Sequence, residues 1–213
     1  MTARSRVKIC GMRTPANVRA AADAGADAVG IIADVPVDTH REVSVDRARD
    51  LVAAAPPFLA TTLVTMPGTP SSAADLVETI GTDHIQVHGI EDPDTLDTLC
   101  AATPAQVIAA VDAGADLAAL DGHVDALLVD STDESGGGGT GETHDWERAG
   151  ALVDSLETPV ILAGGLAPGN VGRAVRTVRP YAVDVASGVE RDAAVDPERV
   201  RSFVAAAKEE VPA

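Results

Sequence analysis

Two side chains at the ends of apolar runs are the first candidates for chemistry. Asp130 closes the run Ala126-Leu-Leu-Val-Asp130, and Cys10 closes Val7-Lys-Ile-Cys10 with Gly11 directly behind it. A carboxyl that ends a strand gives up part of its hydration, and lost hydration favours the protonated form that a general acid needs near neutrality. A strand cysteine is ordinarily a small apolar filler. At a strand's carboxyl end, before a glycine, its thiolate is placed to act as a general base. Cys100 falls in a helical stretch and reads as packing. Three glycine segments accompany the pair: Gly136-Gly-Gly-Gly-Thr-Gly141 beginning six residues after Asp130, Gly164-Gly165 after Val160-Ile-Leu-Ala163, and Ala186-Ser187-Gly188 after a final apolar run. Glycines let the backbone close on an oxyanion, and amides at a helix start bind phosphate without a cation. An acid, a base and an anion cradle together describe proton transfer on a phosphorylated small molecule.

Other polar residues are placed by parity and spacing. Arg41 carries a planar fork suited to a substrate carboxylate, although an exposed ion pair is the ordinary fate of such a residue. Lys8 shares strand parity with Cys10, so both point to one side of the strand. A lysine kept inside in a chain with only one other, Lys208, predicts an interior ion pair, with Asp184 as partner. His84 and His88 share a strand face but stand roughly 13 Å apart along an extended chain, too far to hold one ion together, so no metal site is predicted.

Positioning these groups falls to eight short Val/Ile/Leu/Ala runs, at 6–10, 28–32, 60–64, 84–87, 106–111, 126–129, 159–162 and 182–185. Continuous apolar runs of this kind suit parallel strands covered on both faces. Ala-rich helical stretches separate them. Thr14-Pro15, Asp92-Pro93 and Asp196-Pro197 each set a capping oxygen before a proline fit for the first helical turn. Ser44 and Ser71 are read as further caps, Pro168 as the opening of the seventh helix, and 116–120 as a weak fifth helix. Eight βα units predict a single-domain (β/α)8 barrel spanning residues 1–213. An open doubly wound sheet competes, but it would leave edge strands that a closed barrel lacks. The long loops at 36–42 and 132–144 both follow a strand, which in a barrel puts them on the catalytic face.

Composition limits the partners. A net charge of −17 repels nucleic acid and anionic lipid, and no run reaches the roughly 18 apolar residues of a membrane span. The basic N-terminus lacks a cleavage-site pattern, which predicts a cytoplasmic protein. Two cysteines allow neither a disulfide framework nor a four-thiolate zinc site.

Taken in order, Lys8-Ile-Cys10-Gly11, Ile85-Gln-Val-His-Gly89, Leu128-Val-Asp130, Gly138-Gly-Thr-Gly141 with Asp145-Trp146, Ala163-Gly-Gly-Leu166 with Asn170-Val171, and Asp184-Val-Ala-Ser-Gly-Val-Glu190 closely resemble the phosphoribosylanthranilate isomerases of tryptophan biosynthesis. The resemblance spans nearly the whole chain. It implies a (β/α)8 barrel without metal or cofactor that performs an Amadori rearrangement of N-(5′-phosphoribosyl)anthranilate. By position, Asp130 matches the family's general acid and Cys10 its base. Gly141, Gly164, Gly165, Ser187 and Gly188 match segments around the phosphate, and Arg41 and Asp184 match positions near the anthranilate. The chain departs from the pattern at Val35-Pro-Val-Asp-Thr-His40, where the family has an aromatic and then Ser-Pro; only Arg41 and Glu42-Val-Ser44 fit there. His144 likewise stands where an aromatic is common. The rivals are another phosphate-binding barrel isomerase or synthase, and a non-catalytic barrel that only binds. An epimerase would need a metal-ligand cluster that the sequence lacks. Monomer and homodimer are both compatible.

The charge also predicts a working environment. Molar salt shortens the Debye length to about 3 Å, so an acidic surface that repels itself in dilute buffer is screened there. The expectation is a halophile cytosol. A thermal unfolding midpoint that climbs between dilute buffer and molar KCl is the expected outcome; equal midpoints refute it.

Overall fold

In the computed structural model, which describes residues 5–112, 115–130 and 143–209, the apolar runs form eight parallel strands. They are β1 (Arg6–Ile9), β2 (Ala28–Ile32), β3 (Ala60–Thr65), β4 (His84–His88), β5 (Gln106–Asp112), β6 (Ala126–Asp130), β7 (Val160–Ala163) and β8 (Ala182–Val185). Each pairs with the next, and β8 pairs with β1, closing the sheet into a barrel. Helices α1 (Pro15–Asp23), α2 (Val45–Ala53), α3 (Pro70–Ile80), α4 (Pro93–Ala102), α5 (Leu117–Leu120), α6 (Thr143–Val153), α7 (Val171–Val178) and α8 (Pro197–Lys208) follow the strands in turn. A two-stranded hairpin, β9 (Glu190–Arg191) and β10 (Ala194–Val195), stands between β8 and α8. Among the described residues no helix is long and apolar enough to cross a membrane.

Helix starts follow from local chemistry. Thr14 caps α1 by accepting from Asn17 N, while the Asn17 side chain reaches back to complete a capping box. Asp92 and Asp196 cap α4 and α8, and Ser44 caps α2. Two expectations need correction. The cap of α3 is Thr69 rather than Ser71: Pro70 takes the first helical position, so the capping oxygen must come from the residue before it. Pro168 does not open α7, which begins at Val171; it lies in a turn that the Asn170 side chain ties together. The weak fifth helix is a single turn.

Strand parity divides the core into two shells. Outward-pointing residues such as Ile9, Ile31, Leu63, Ile85, Leu127 and Val183 pack under the helices and form the larger apolar cluster. Inward-pointing residues fill the barrel unevenly. Ile108, Ala110, Ala126, Leu128, Ile161 and Ala163 make an apolar half around β5–β7. The other half is polar and equally buried, with Lys8, Thr62, Gln86 and Asp184 contributed by β1, β3, β4 and β8. Lys8 and Asp184 are register partners across the β1–β8 seam, and their side chains meet at 3.0 Å. The interior ion pair anticipated from lysine scarcity is present.

An ammonium in that position has no water to fall back on. Removing one member of a buried pair typically costs about 3–5 kcal/mol because the other charge is left uncompensated. Lys8→Met is therefore expected to lower unfolding free energy by about that amount. Adding Asp184→Leu should recover most of the loss, as read by denaturant titration. A Lys8→Met protein of unchanged stability would show that the pair does not hold the seam.

Candidate active site

All eight strands point the same way, so everything at their carboxyl ends lies on one rim. Cys10 follows β1 there, its N–H donating to Val185 O at 2.8 Å. Asp130 is the last residue of β6, in register with Asp112 of β5 and Ala163 of β7, and partly exposed. The two residues singled out from the sequence thus stand on the same rim, on the polar and the apolar half of the barrel respectively.

Cys10 is buried, and its neighbours account for its state. A methyl group built on Gly30 of β2 would come within 2.7 Å of the Cys10 sulfur, so the side chain occupies space that only a glycine leaves open. Burial pushes the thiol pKa upward, and the Asp184 charge adds to this. Lys8, the Gly11 amide and Arg41 act in the opposite direction without cancelling it. Lys8 itself is penalised by burial, yet Asp184 and Cys10 outweigh the penalty and leave its pKa raised. The ammonium is held charged, and its charge acts on the Cys10 thiol.

A hydrogen-bonded row crosses the barrel from this point. Lys8 Nζ donates to Asp184 Oδ1 at 3.0 Å and to Gln86 Oε1 at 2.9 Å, and Gln86 Nε2 meets His88 Nε2 at 2.9 Å. Burial lowers the His88 pKa, Lys8 lowers it further, and Asp184, Asp130 and Asp112 pull the other way. Sequence reasoning weighed His88 as a metal ligand and quoted Gln86 and His88 within the family motif, but gave neither a role in the site. The signal was present, since both share inward parity on β4.

Arg41 is held in an ion pair, the ordinary fate weighed for it from the sequence, though a part-buried one. Its Nε and Nη2 donate side-on to Glu190 at 2.8 and 2.6 Å, and His40 approaches the same carboxylate at 3.4 Å. Glu190 hydrogen bonding outweighs burial and raises the Arg41 pKa. Burial of Glu190 is in turn outweighed by Arg41 and His40, which lower its pKa. Arg13 fixes the surrounding loops by donating to His40 O at 2.8 Å and Ala193 O at 2.7 Å.

The glycine segments after β7 and β8 come together. Gly164 and Gly165 have φ of +84° and +59°, a backbone that side-chain-bearing residues rarely adopt. Asn170 clamps this turn, accepting from Ala167 N at 2.8 Å and donating to Gly165 O at 2.9 Å. A methyl group on Gly188 would lie 1.9 Å from Leu166 O, so the short 3-10 turn Ser187–Val189 rests directly on the β7 loop. Gly141 and the rest of 131–142 lie outside the described residues.

A closed parallel barrel with a sulfur, a carboxyl, a bound guanidinium and two apposed glycine turns on one rim defines a (β/α)8-barrel enzyme, the class that places its chemistry there. The family model described as N-(5'phosphoribosyl)anthranilate (PRA) isomerase matches residues 7–206, and the chain belongs to that family. The N-(5'-phosphoribosyl)anthranilate isomerase of Haloferax volcanii is 56% identical over 210 residues, covering 96% of this chain and 93% of its own. The phosphoribosyl anthranilate isomerase of Thermococcus kodakaraensis superposes with a TM-score of 0.81 at 32% identity, covering 97% of this chain and all of its own. A second structure is a phosphoribosyl anthranilate isomerase in complex with reduced 1-(o-carboxyphenylamino)-1-deoxyribulose 5-phosphate. It gives a TM-score of 0.79 at 28% identity, covering 96% of this chain and 98% of its own. Membership carries isomerase activity in tryptophan biosynthesis.

The raised Cys10 pKa has a measurable sign. Only the thiolate alkylates, and a raised pKa keeps the thiol protonated to higher pH. At pH 8 iodoacetamide should label Cys10 more slowly in the folded protein than in the denatured chain, with labelling quickening only as pH passes above the ordinary thiol range of about 8.5. Mass spectrometry of the Cys10 peptide reads this out. Faster labelling in the folded state would mean that Lys8 dominates over burial.

Proposed function

We propose that the isomerisation runs by acid/base catalysis, with Asp130 as general acid and Cys10 as general base. The carrying observation is that both side chains stand at strand ends on the same rim, beside the apposed turns Gly164–Gly165 and Ser187–Gly188. In this reading the 5′-phosphate is held by backbone amides of those turns. Amides suit the task, because a protein of charge −17 otherwise opposes an anion.

Arg41 holds the anthranilate carboxylate. Glu190 takes its side-on edge, Nε with Nη2, and so leaves the end-on edge of Nη1 and Nη2 for a second, bidentate partner. Glu190 thereby aims Arg41 rather than competing with the substrate. Asp184 stands near the same moiety and keeps Lys8 charged.

Chemically, Asp130 donates its proton to the ribose ring oxygen as the C1′–O bond breaks, and the anilino nitrogen supplies its lone pair to C1′, giving an iminium. The Cys10 thiolate then removes the proton from C2′. The C–H electron pair forms the C1′–C2′ double bond, the iminium π electrons return to nitrogen, and the resulting enolamine tautomerises to the 2′-ketone. No atom is lost and no electron acceptor is needed. Burial favours the thiol, so Cys10 first gives its proton to solvent before it serves as base, and the Lys8 charge lowers the cost of that ionisation. The same reading sets the enzyme in a cytoplasm of concentrated salt, supported by its acidity and its likeness to the Haloferax volcanii isomerase.

The test is steady-state turnover of phosphoribosylanthranilate in molar salt by wild type, Cys10→Ala and Asp130→Asn. Loss of a general acid or base lowers kcat about 10²–10⁴-fold, and each variant should fall in that range. Wild-type kcat in both would overturn the assignment.

A further inference from the structure

Hydrogen-bond direction along the row from Lys8 to His88 determines more than the contacts themselves. Lys8 is an ammonium with three donors and no acceptor, so the Gln86 amide must turn its oxygen toward it. The amide nitrogen then faces His88 Nε2 at 2.9 Å, and that nitrogen carries two hydrogens and accepts nothing. A hydrogen bond there is possible only if His88 Nε2 holds a lone pair. We infer that Lys8, acting through Gln86, locks His88 as the neutral tautomer protonated on Nδ1, so that His88 presents an N–H donor to a substrate oxygen at the rim.

Several independent features agree. The row is rigid where it is fixed: Lys8 and Gln86 are each 3% exposed, and Lys8 is tied a second time by Asp184. Reversing the amide would set its N–H₂ against the ammonium, donor against donor. A second proton on His88 is disfavoured by its burial and by Lys8. The charged groups facing His88 are Lys8 from β1, Asp184 from β8, Asp130 from β6 and Asp112 from β5, and the net result leaves the imidazole neutral. Among the described residues no other hydrogen bond takes His88 Nδ1, while Gln86 is taken by Lys8 at one end and His88 at the other. His88 ends β4 on the inward face, where the charges of Lys8, Asp184, Asp130 and Asp112 reach it. A donor there meets a sugar hydroxyl or the developing 2′-oxygen without adding a charge. Gln86 is in these terms a positioning residue, acting through His88.

The substrate-facing part of this inference rests on the isomerase reading above, so the test separates the two. Long-range ¹H–¹⁵N correlation on protein labelled at histidine nitrogens, without substrate, reads the tautomer alone. The His88 Nδ1 is expected at the shift of a protonated nitrogen and Nε2 at that of an unprotonated one. In Gln86→Glu the new carboxylate accepts from both neighbours, so Nε2 should become protonated. A wild-type His88 protonated on Nε2 overturns the lock, whatever the enzyme turns over. For the donor role, His88→Asn keeps an N–H near the Nδ1 position and His88→Phe does not. His88→Asn should keep kcat/KM within about tenfold of wild type and His88→Phe should fall well below it, since one lost hydrogen bond to a reacting group costs on the order of 10²-fold. Equal losses in the two variants would remove the donor role while leaving the tautomer standing. Absence of phosphoribosylanthranilate turnover by wild type would instead strike the isomerase reading.

Discussion

A lysine with almost no exposure must have its counter-charge supplied by the protein, and the Lys8–Asp184 pair meets that need across the one seam that closes the sheet. The pair lies where β8 returns to β1, so covalent order, barrel closure and charge balance converge on it. Burial in a low-dielectric interior makes each member costly alone and strongly attractive together. The groups around it follow. Asp184 is held in place, Gln86 has its amide orientation set, and the Cys10 thiol is acted on by the Lys8 charge.

The barrel tolerates this polar half because the other half is dry. Ile108, Leu128, Ile161 and small alanines fill the side from β5 to β7, so the interior is asymmetric from wall to wall. That asymmetry puts the buried thiol over the charged side and Asp130 at the end of the apolar side. Cys10 and Asp130 therefore meet different surroundings while sharing one rim. The loops above are equally interlocked. Arg13 joins the β1 and β2 loops to the hairpin after β8, Glu190 of that hairpin aims Arg41, and Gly188 rests on the β7 turn.

Much of this was legible in one dimension. The strand runs were foreseen to within a residue or two at either end, because short continuous apolar stretches between capped helices have few other readings. The errors were local and physical. Ser71 was read as a cap although Pro70 already occupied the first helical position, and Pro168 was read as a helix start although Asn170 ties it into a turn. Arg41 was read for its planar fork, with an ion pair as the ordinary alternative, and nothing in the linear sequence said that Glu190, 149 residues away, would take one edge of its guanidinium.

The sequence by itself determined the parallel strands, the inward parity of Lys8 and Cys10, the need for a partner to the buried lysine, and the placing of Cys10 and Asp130 at strand ends. These are consequences of periodicity, local capping and the scarcity of interior charge, all of which are short-range properties of a chain. Tertiary structure decided what depends on which strands become neighbours. It set the glycine at position 30 against the Cys10 sulfur, turned the Gln86 amide from Lys8 toward His88, and laid the β8 turn upon the β7 turn. Hydrogen-bond direction and close backbone approach are fixed only when separate segments meet, and closure of the barrel is what brings them together.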